Sequence, residues 1–164
     1  MLNKAFYIYL GLFLASAVTV KAQYAFEDIP KKSLKVTSIF ARVEDSLKKE
    51  FQEKGLQWPM KYMYMRAFKH EKQMEVWVKN DWSETFQLFK VYKVCATSGT
   101  YGPKRKEGDK QIPEGFYYVN EFNPNSNYHL ALGLNYPNAA DAILSDQNKP
   151  GGDIYIHGNC VTIG

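Results

Sequence analysis

Two hydrophobic periodicities organise the chain, and the first of them is helical. Between Ser33 and Lys54, apolar residues recur at steps of three and four and form a single stripe. Ser33 is a suitable N-cap, and Gly55 and Pro59 are signals that end a helix. The segment therefore predicts an amphipathic helix packed on the protein's own sheet, with a partner-binding helix as the alternative.

After the helix the pattern becomes that of β-strands. Residues 61–68, 74–78 and 86–95 are apolar or alternating runs, and they predict three strands. In the third run Lys90 and Lys93 break the alternation, which predicts a bulge or a twist. Further strand candidates are residues 115–119, 129–134 and 154–156. Short strands between Gly, Pro and Asn turns predict a mainly β, α+β fold, built as a β-sandwich or a small barrel-like sheet.

The loops between these strands carry a basic cluster and a turn-rich link. Lys104, Arg105 and Lys106 lie in the loop at 98–109 and could attract a substrate carboxylate, although such residues are usually just solvated. Residues 122–128 are rich in Asn, Ser and Pro and predict a turn-rich connection. Residues 136–141 then predict the start of a short helix.

The first 22 residues have the composition of a signal peptide. A short basic start is followed by an uncharged apolar run over residues 5–20 and by small residues before Gln23. This pattern predicts cleavage before Gln23 and export, so that membrane contact is limited to export. A retained anchor helix is the alternative, but the run is short for spanning a bilayer. The remainder predicts a helical segment over 23–59 and one domain over 60–164.

Charge and cysteine content exclude some functions and leave one question open. The 164 residues carry a formal charge of +4, and removing Lys4 and Lys21 with the signal segment leaves +2. Such a balanced chain gives no support for a nucleic-acid partner. The three histidines lack the short spacings of a zinc site, so no metal is expected. Cys95 and Cys160 would lie in an oxidising compartment and could pair, but their spacing does not decide it.

The candidate for chemistry stands at the end of the last predicted strand. The strand at 154–156 delivers His157 to its end, where Gly158 and Asn159 allow a sharp turn. A histidine fixed at such a place can act as a general base for a nucleophile. The alternative is a capped, hydrogen-bonded histidine at an ordinary strand end.

The run from Ile156 to Gly164 resembles the active-site signature of L,D-transpeptidases with a YkuD catalytic domain, in the YafK-like branch. In that family a His-Gly pair precedes Ser/Thr-x-Gly-Cys, and the cysteine is the nucleophile. His157-Gly158 and Thr162-Ile163-Gly164 fit this pattern. Ile163 stands where the better-known pattern has a second histidine, which favours the YafK-like branch. Further blocks are similar to the family's, at residues 66–77, 102–115, 122–124 and 136–141.

The resemblance implies an exported cysteine acyltransferase, in the periplasm or cell envelope, that acts on peptidoglycan stem peptides without a cofactor. It implies His157 as general base, the backbone N–H of Gly164 in the oxyanion hole, and Gly158, Thr162 and Lys104 in substrate positioning. The nucleophile is expected at position 165. The sequence is therefore interpreted as C-terminally truncated, and the chain as given is expected to be unstable and inactive.

Three rival interpretations remain at this stage. The same scaffold could act as a hydrolase that cleaves peptidoglycan cross-links or a protein–peptidoglycan link, with water as acceptor. The domain could also be a non-catalytic cell-wall binding module. Finally, Cys160 could pair with His157 as nucleophile, but it lies inside the spacer and lacks the preceding glycine of the family pattern.

Overall fold

The computed structural model describes residues 33–162, so the predicted signal peptide and Gly164 lie outside the described part. The elements in chain order are α1 (Leu34–Glu53), β1 (Tyr62–Phe68), β2 (Gln73–Lys79), β3 (Gln87–Lys93), β4 (Val119–Asn123), β5 (Ala131–Leu134), α2 (Ala139–Leu144) and β6 (Tyr155–His157). They form one long helix followed by two three-stranded antiparallel sheets. The α+β fold class is confirmed.

Helix α1 begins and ends where the sequence predicts. The hydroxyl oxygen of Ser33 accepts a hydrogen bond from the backbone N–H of Val36 at 3.4 Å, which caps the first turn. At the other end Gly55 adopts a φ of +66°, a conformation that glycine reaches without strain. Phe51 of α1 packs on Val78 and Phe89 of the first sheet. The helix therefore packs on its own sheet.

The first sheet has the order β1-β2-β3 and contains the predicted irregularity. The register between β2 and β3 shifts between Val76 and Trp77. The bulge lets Phe89 reach the core while the neighbouring Lys90 pairs with Glu50 of α1 at 2.6 Å. Lys90, which interrupts the alternation in the sequence, therefore lies at a bulge. Its ion pair with Glu50 links the first sheet to α1.

The second sheet has the order β4-β5-β6, and here two predicted strands are shifted. The strand predicted over 115–119 is a loop up to Tyr118, and β4 follows it, in part of the predicted turn-rich link. Main-chain pairing with β5 starts at Val119, while Phe116 and Tyr118 are 87% and 67% exposed. The apolar run of residues 115–119 therefore marks an exposed aromatic loop. His129, predicted in a strand, precedes β5 with a φ of +77°.

A disulfide connects the two sheets, and a lysine holds the loop between them against the first sheet. Cys95, just after β3, forms a disulfide with Cys160, just after β6. Lys69, just after β1, donates hydrogen bonds to the carbonyls of Gly102 at 2.8 Å and Ile112 at 3.2 Å. The hydrogen bonds of Lys69 hold the long loop between β3 and β4 against the first sheet. Strands of both sheets line one open cavity.

Candidate active site

Strand β6 fixes the main chain on both sides of His157. The histidine is the last residue of the strand and lies opposite Ala131 in the pairing of β5 with β6. The next N–H, that of Gly158, donates to the carbonyl of Leu130 at 3.1 Å. The predicted placement of His157 at a strand end is confirmed. The half-buried imidazole therefore starts from a backbone that is hydrogen-bonded through the following residue.

The hydrogen bonding of the imidazole leaves one nitrogen available for proton transfer. His157 Nδ1 lies within hydrogen-bond distance of the carbonyl oxygen of Gly158. A carbonyl can only accept, so Nδ1 of the neutral ring carries the hydrogen and donates it. Nε2 then keeps its lone pair and can take a proton from a nucleophile.

Tyr128 sets the plane of the imidazole. Its ring packs against that of His157 with the centroids 4.9 Å apart and the planes inclined by 33°. Tyr128 belongs to the connection between β4 and β5, and its backbone N–H donates to the hydroxyl oxygen of Ser126 at 3.1 Å. The loop that the sequence marks only as turn-rich therefore supplies one wall of the site.

Gly158 is needed for close packing rather than for a left-handed turn. A Cβ at this position would lie 3.0 Å from His129 Cβ, 3.1 Å from His129 Cδ2 and 3.3 Å from the Tyr128 carbonyl oxygen. The positive φ expected of this turn belongs to Asn159, at +61°. The glycine thus lets the β4–β5 connection press against the backbone beside the imidazole.

An open cavity of about 1830 Å³ adjoins the site and is large enough for a peptide. His157, Asn159 and Thr162 line it from the side of β6. Its other walls come from β1, the end of β3, and the loops at 111–119 and 123–128. The arrangement provides a fixed base at the wall of a wide, partly aromatic cleft.

Comparisons with known proteins identify relatives of this chain. The chain is 38% identical over 118 residues to "Putative L,D-transpeptidase YafK" of Escherichia coli K12, and equally to the protein of that name from Escherichia coli O157:H7. The alignment covers 71% of this chain. Over these 118 residues the chain is a relative of the YafK-like L,D-transpeptidases. The matched region spans 45% of the length of these curated relatives.

A solved structure also resembles the chain. The crystal structure of the helical cell shape determining protein Pgp2 from Campylobacter jejuni matches with a TM-score of 0.46 and 27% identity. The match covers 68% of this chain and 40% of that one. No family model matches the chain.

The disulfide decides the status of Cys160, the rival candidate for the nucleophile. In the structure Cys160 is bonded to Cys95, with the two Cα atoms 5.6 Å apart, and so has no free thiol. The question of pairing that the sequence left open is answered. Both cysteines are exposed, and their bond holds the chain between His157 and the Thr-x-Gly part of the motif against the first sheet.

Lys104 is placed differently from a free substrate-binding cation. Its side chain is buried, and the ammonium pairs with Asp109 at 2.8 Å and donates to the Lys106 carbonyl at 3.0 Å. Asp109 also accepts backbone N–H bonds from Arg105, Lys106 and Gln111. Burial alone raises the pKa of Asp109, but these bonds outweigh it and hold the pKa well below its usual range. The ammonium of Lys104 is thus engaged within its own loop.

Two predicted site residues, Thr162 and Gly164, stand at the end of the sequence. Thr162 is exposed and is the last described residue, and Gly164 lies outside the described part. Among residues 33–162, no three His, Cys, Asp or Glu side chains gather in a way that could hold a metal ion. Within the same residues no helix combines the length and apolar character needed to cross a membrane.

Sequence reasoning missed the residues that surround His157. Tyr128, His129 and Lys35 reach the site from a loop and a helix far away in sequence. None of them stands in a recognisable motif of its own. Only Gly158 carried a local signal, since a glycine directly after a candidate catalytic residue often marks a close approach of two segments.

Proposed function

We propose that the full protein encoded by this gene is an exported cysteine acyltransferase that acts on peptidoglycan stem peptides through a thioester. The observation that carries the proposal is the state of His157. One ring nitrogen is bound by a main-chain carbonyl, and the other is left to act as a base beside a wide cleft. The name of the relatives, "Putative L,D-transpeptidase YafK", refers to the same class of reaction.

The first step forms the acyl-enzyme. In the proposal the nucleophile is a cysteine that directly follows Gly164, as the family motif implies. His157 Nε2 takes the thiol proton, because a thiol with a pKa near 8.5 is mostly protonated at neutral pH. The thiolate sulfur attacks the carbonyl carbon of the diamino acid residue in a stem peptide. The C–N bond breaks, and the proton from His157 goes to the departing amine.

The second step regenerates the enzyme. An acceptor amine loses a proton to His157 and attacks the thioester carbonyl, the C–S bond breaks, and the thiolate recovers that proton. The backbone N–H of Gly164 would stabilise the oxyanion in both steps, and Gly158 and Thr162 would shape the adjacent wall. Lys104 is left out of the substrate contacts, since its ammonium is already paired.

Product analysis with and without an amine acceptor tests this function. The purified full-length protein should transfer the tripeptide acyl part of a stem tetrapeptide to an added amine and release the fourth residue, and a His157→Gln variant should lose at least about a hundredfold in rate. Release of free tripeptide with no joined product would assign the hydrolase instead. Binding of peptidoglycan with neither product would assign a non-catalytic cell-wall module.

A further inference from the structure

Lys35, in the first turn of α1, reaches across to the loop beside the candidate site. Its ammonium donates to the carbonyl oxygen of His129 at 2.5 Å and to that of Ser126 at 3.3 Å. These carbonyls flank Tyr128, whose ring packs on His157. A residue of the N-terminal helix therefore clamps the short segment that carries the wall of the site.

The position of Lys35 is unfavourable for the helix itself. The first turn has exposed N–H groups and partial positive charge, so a cation there is destabilising. The first turn of α1 contains no acidic residue that would offset this cost. The hydrogen bonds to the loop therefore give Lys35 a role at this position, whereas helix stability gives it none.

The clamped segment is also strained. His129 adopts a φ of +77°, which is uncommon for a residue with a side chain. Such a conformation is energetically unfavourable and persists only where the surroundings hold it. The ammonium holds the carbonyl of His129 on one side, and the backbone of Gly158 lies against its side chain on the other. His129 is thus held on one side by Lys35 and on the other by Gly158.

We propose that Lys35 is a positioning residue for His157. By fixing the carbonyls of Ser126 and His129, it keeps the ring of Tyr128 packed against the imidazole and so sets the direction of Nε2. The inference rests on the proposed function for its catalytic consequence, but its structural part does not. It makes the first turn of α1 part of the structure that orients His157.

Histidine-selective NMR of the full-length protein tests the structural part. The chain has three histidines, and His70 is an exposed reference that lies beside Tyr101. In Lys35→Met, the ring signals of His157 and His129 should move while that of His70 stays. Lys35→Arg should restore them, because a guanidinium can donate to the same carbonyls. Helix content should be retained, since the substitution removes an unfavourable charge.

Lys49→Met is the matched control, since Lys49 is an exposed lysine of the same helix whose ion pair is with Glu53 in α1. It should leave all three histidine signals in place. His157 signals in Lys35→Met that coincide with those of Lys49→Met would overturn the proposal.

Kinetics test the catalytic part. Lys35→Met should lower kcat about tenfold with KM nearly unchanged, because the base is misdirected while the cleft is intact. Unchanged kcat despite moved signals would also overturn the positioning role. If the unmodified protein shows no acyl transfer, the proposed function fails, and the NMR comparison alone then decides whether Lys35 orients the ring.

Discussion

At the scale of single residues, the site depends on a contact that leaves no room for a side chain. Gly158 touches His129 and the Tyr128 carbonyl so closely that an added Cβ would fall 3.0–3.3 Å from three atoms. Two of these atoms belong to a residue already held at positive φ, which limits how far it can give way. The positions of Gly158, His129 and Tyr128 therefore depend on one another.

Gly158→Ala should accordingly destabilise the protein by about 1–3 kcal/mol, as overpacking does, and should displace the ring signals of His157. Thermal unfolding and histidine NMR measure the two effects. Gly152→Ala is the matched control, because a Cβ there meets no atom within 4 Å. Equal stability of the two variants would show that the close approach is not maintained in solution.

The sequence predicts the residues of this unit unevenly. His157 and Gly158 were found because a strand pattern, a glycine turn and a family motif coincide there. Tyr128 and Lys35 were not, since their roles come from contacts between segments that are distant in the chain. Local periodicity carries no information about such contacts.

At the scale of elements, the disulfide is the covalent tie between the two sheets. It joins Cys95, after β3, to Cys160, after β6, at a sequence separation of 65 residues. Cross-linking a loop of this length stabilises a fold by about 2–4 kcal/mol, chiefly by restricting the unfolded chain. It also fixes the chain that follows His157, so its loss should affect both stability and the site.

The double variant Cys95→Ser/Cys160→Ser should therefore unfold at a lower temperature than the oxidised protein. Adding a thiol reductant should lower the unfolding temperature of the unmodified protein and leave that of the double variant unchanged. Acyl transfer should persist at a reduced rate in the double variant. Complete loss of transfer with folding retained would favour Cys160 as the nucleophile, against the account given above.

The loop at 104–109 predicts a dependence on pH. Its bonds hold the pKa of Asp109 below that of the unfolded chain, so the carboxylate adds stability that is fully present above about pH 4. That stability is lost as the pH falls further and the group takes up a proton. Asp109→Asn should cost about 1–3 kcal/mol at neutral pH and flatten the acid side of the stability profile.

Unfolding by denaturant between pH 2 and pH 7 measures this effect. Asp45→Asn, which changes an exposed residue on α1, serves as control and should follow the unmodified protein. A control-like profile for Asp109→Asn would show that the buried pair with Lys104 is not formed.

Element prediction succeeded where a regular pattern met a buried partner. The stripe of α1 and the first three strands were found because Phe51, Val78 and Phe89 pack together. The strand predicted at 115–119 was wrong because Phe116 and Tyr118 are exposed, and the pairing with β5 begins only at Val119. An apolar run predicts a strand only if another strand is there to receive it.

At the scale of the whole molecule, strands of both sheets line one cleft, and a disulfide joins the two sheets beside it. The sequence predicted the α+β class, but not which elements meet at the cleft, because the disulfide and the Lys35 contact join distant segments. The export, the domain limits and the site roles of His157, Gly158, Thr162, Lys104 and Gly164 stay predictions. The central claim is narrower: His157 serves a cysteine that directly follows Gly164.

Intact-protein mass spectrometry tests that claim most directly. The full-length protein is mixed with a stem tetrapeptide in the absence of an amine acceptor and quenched in acid. We expect an added mass equal to the tripeptide acyl group, mapped to a cysteine next to Gly164 and absent in His157→Gln. An adduct on Cys160, or a residue other than cysteine at that position, would contradict the account.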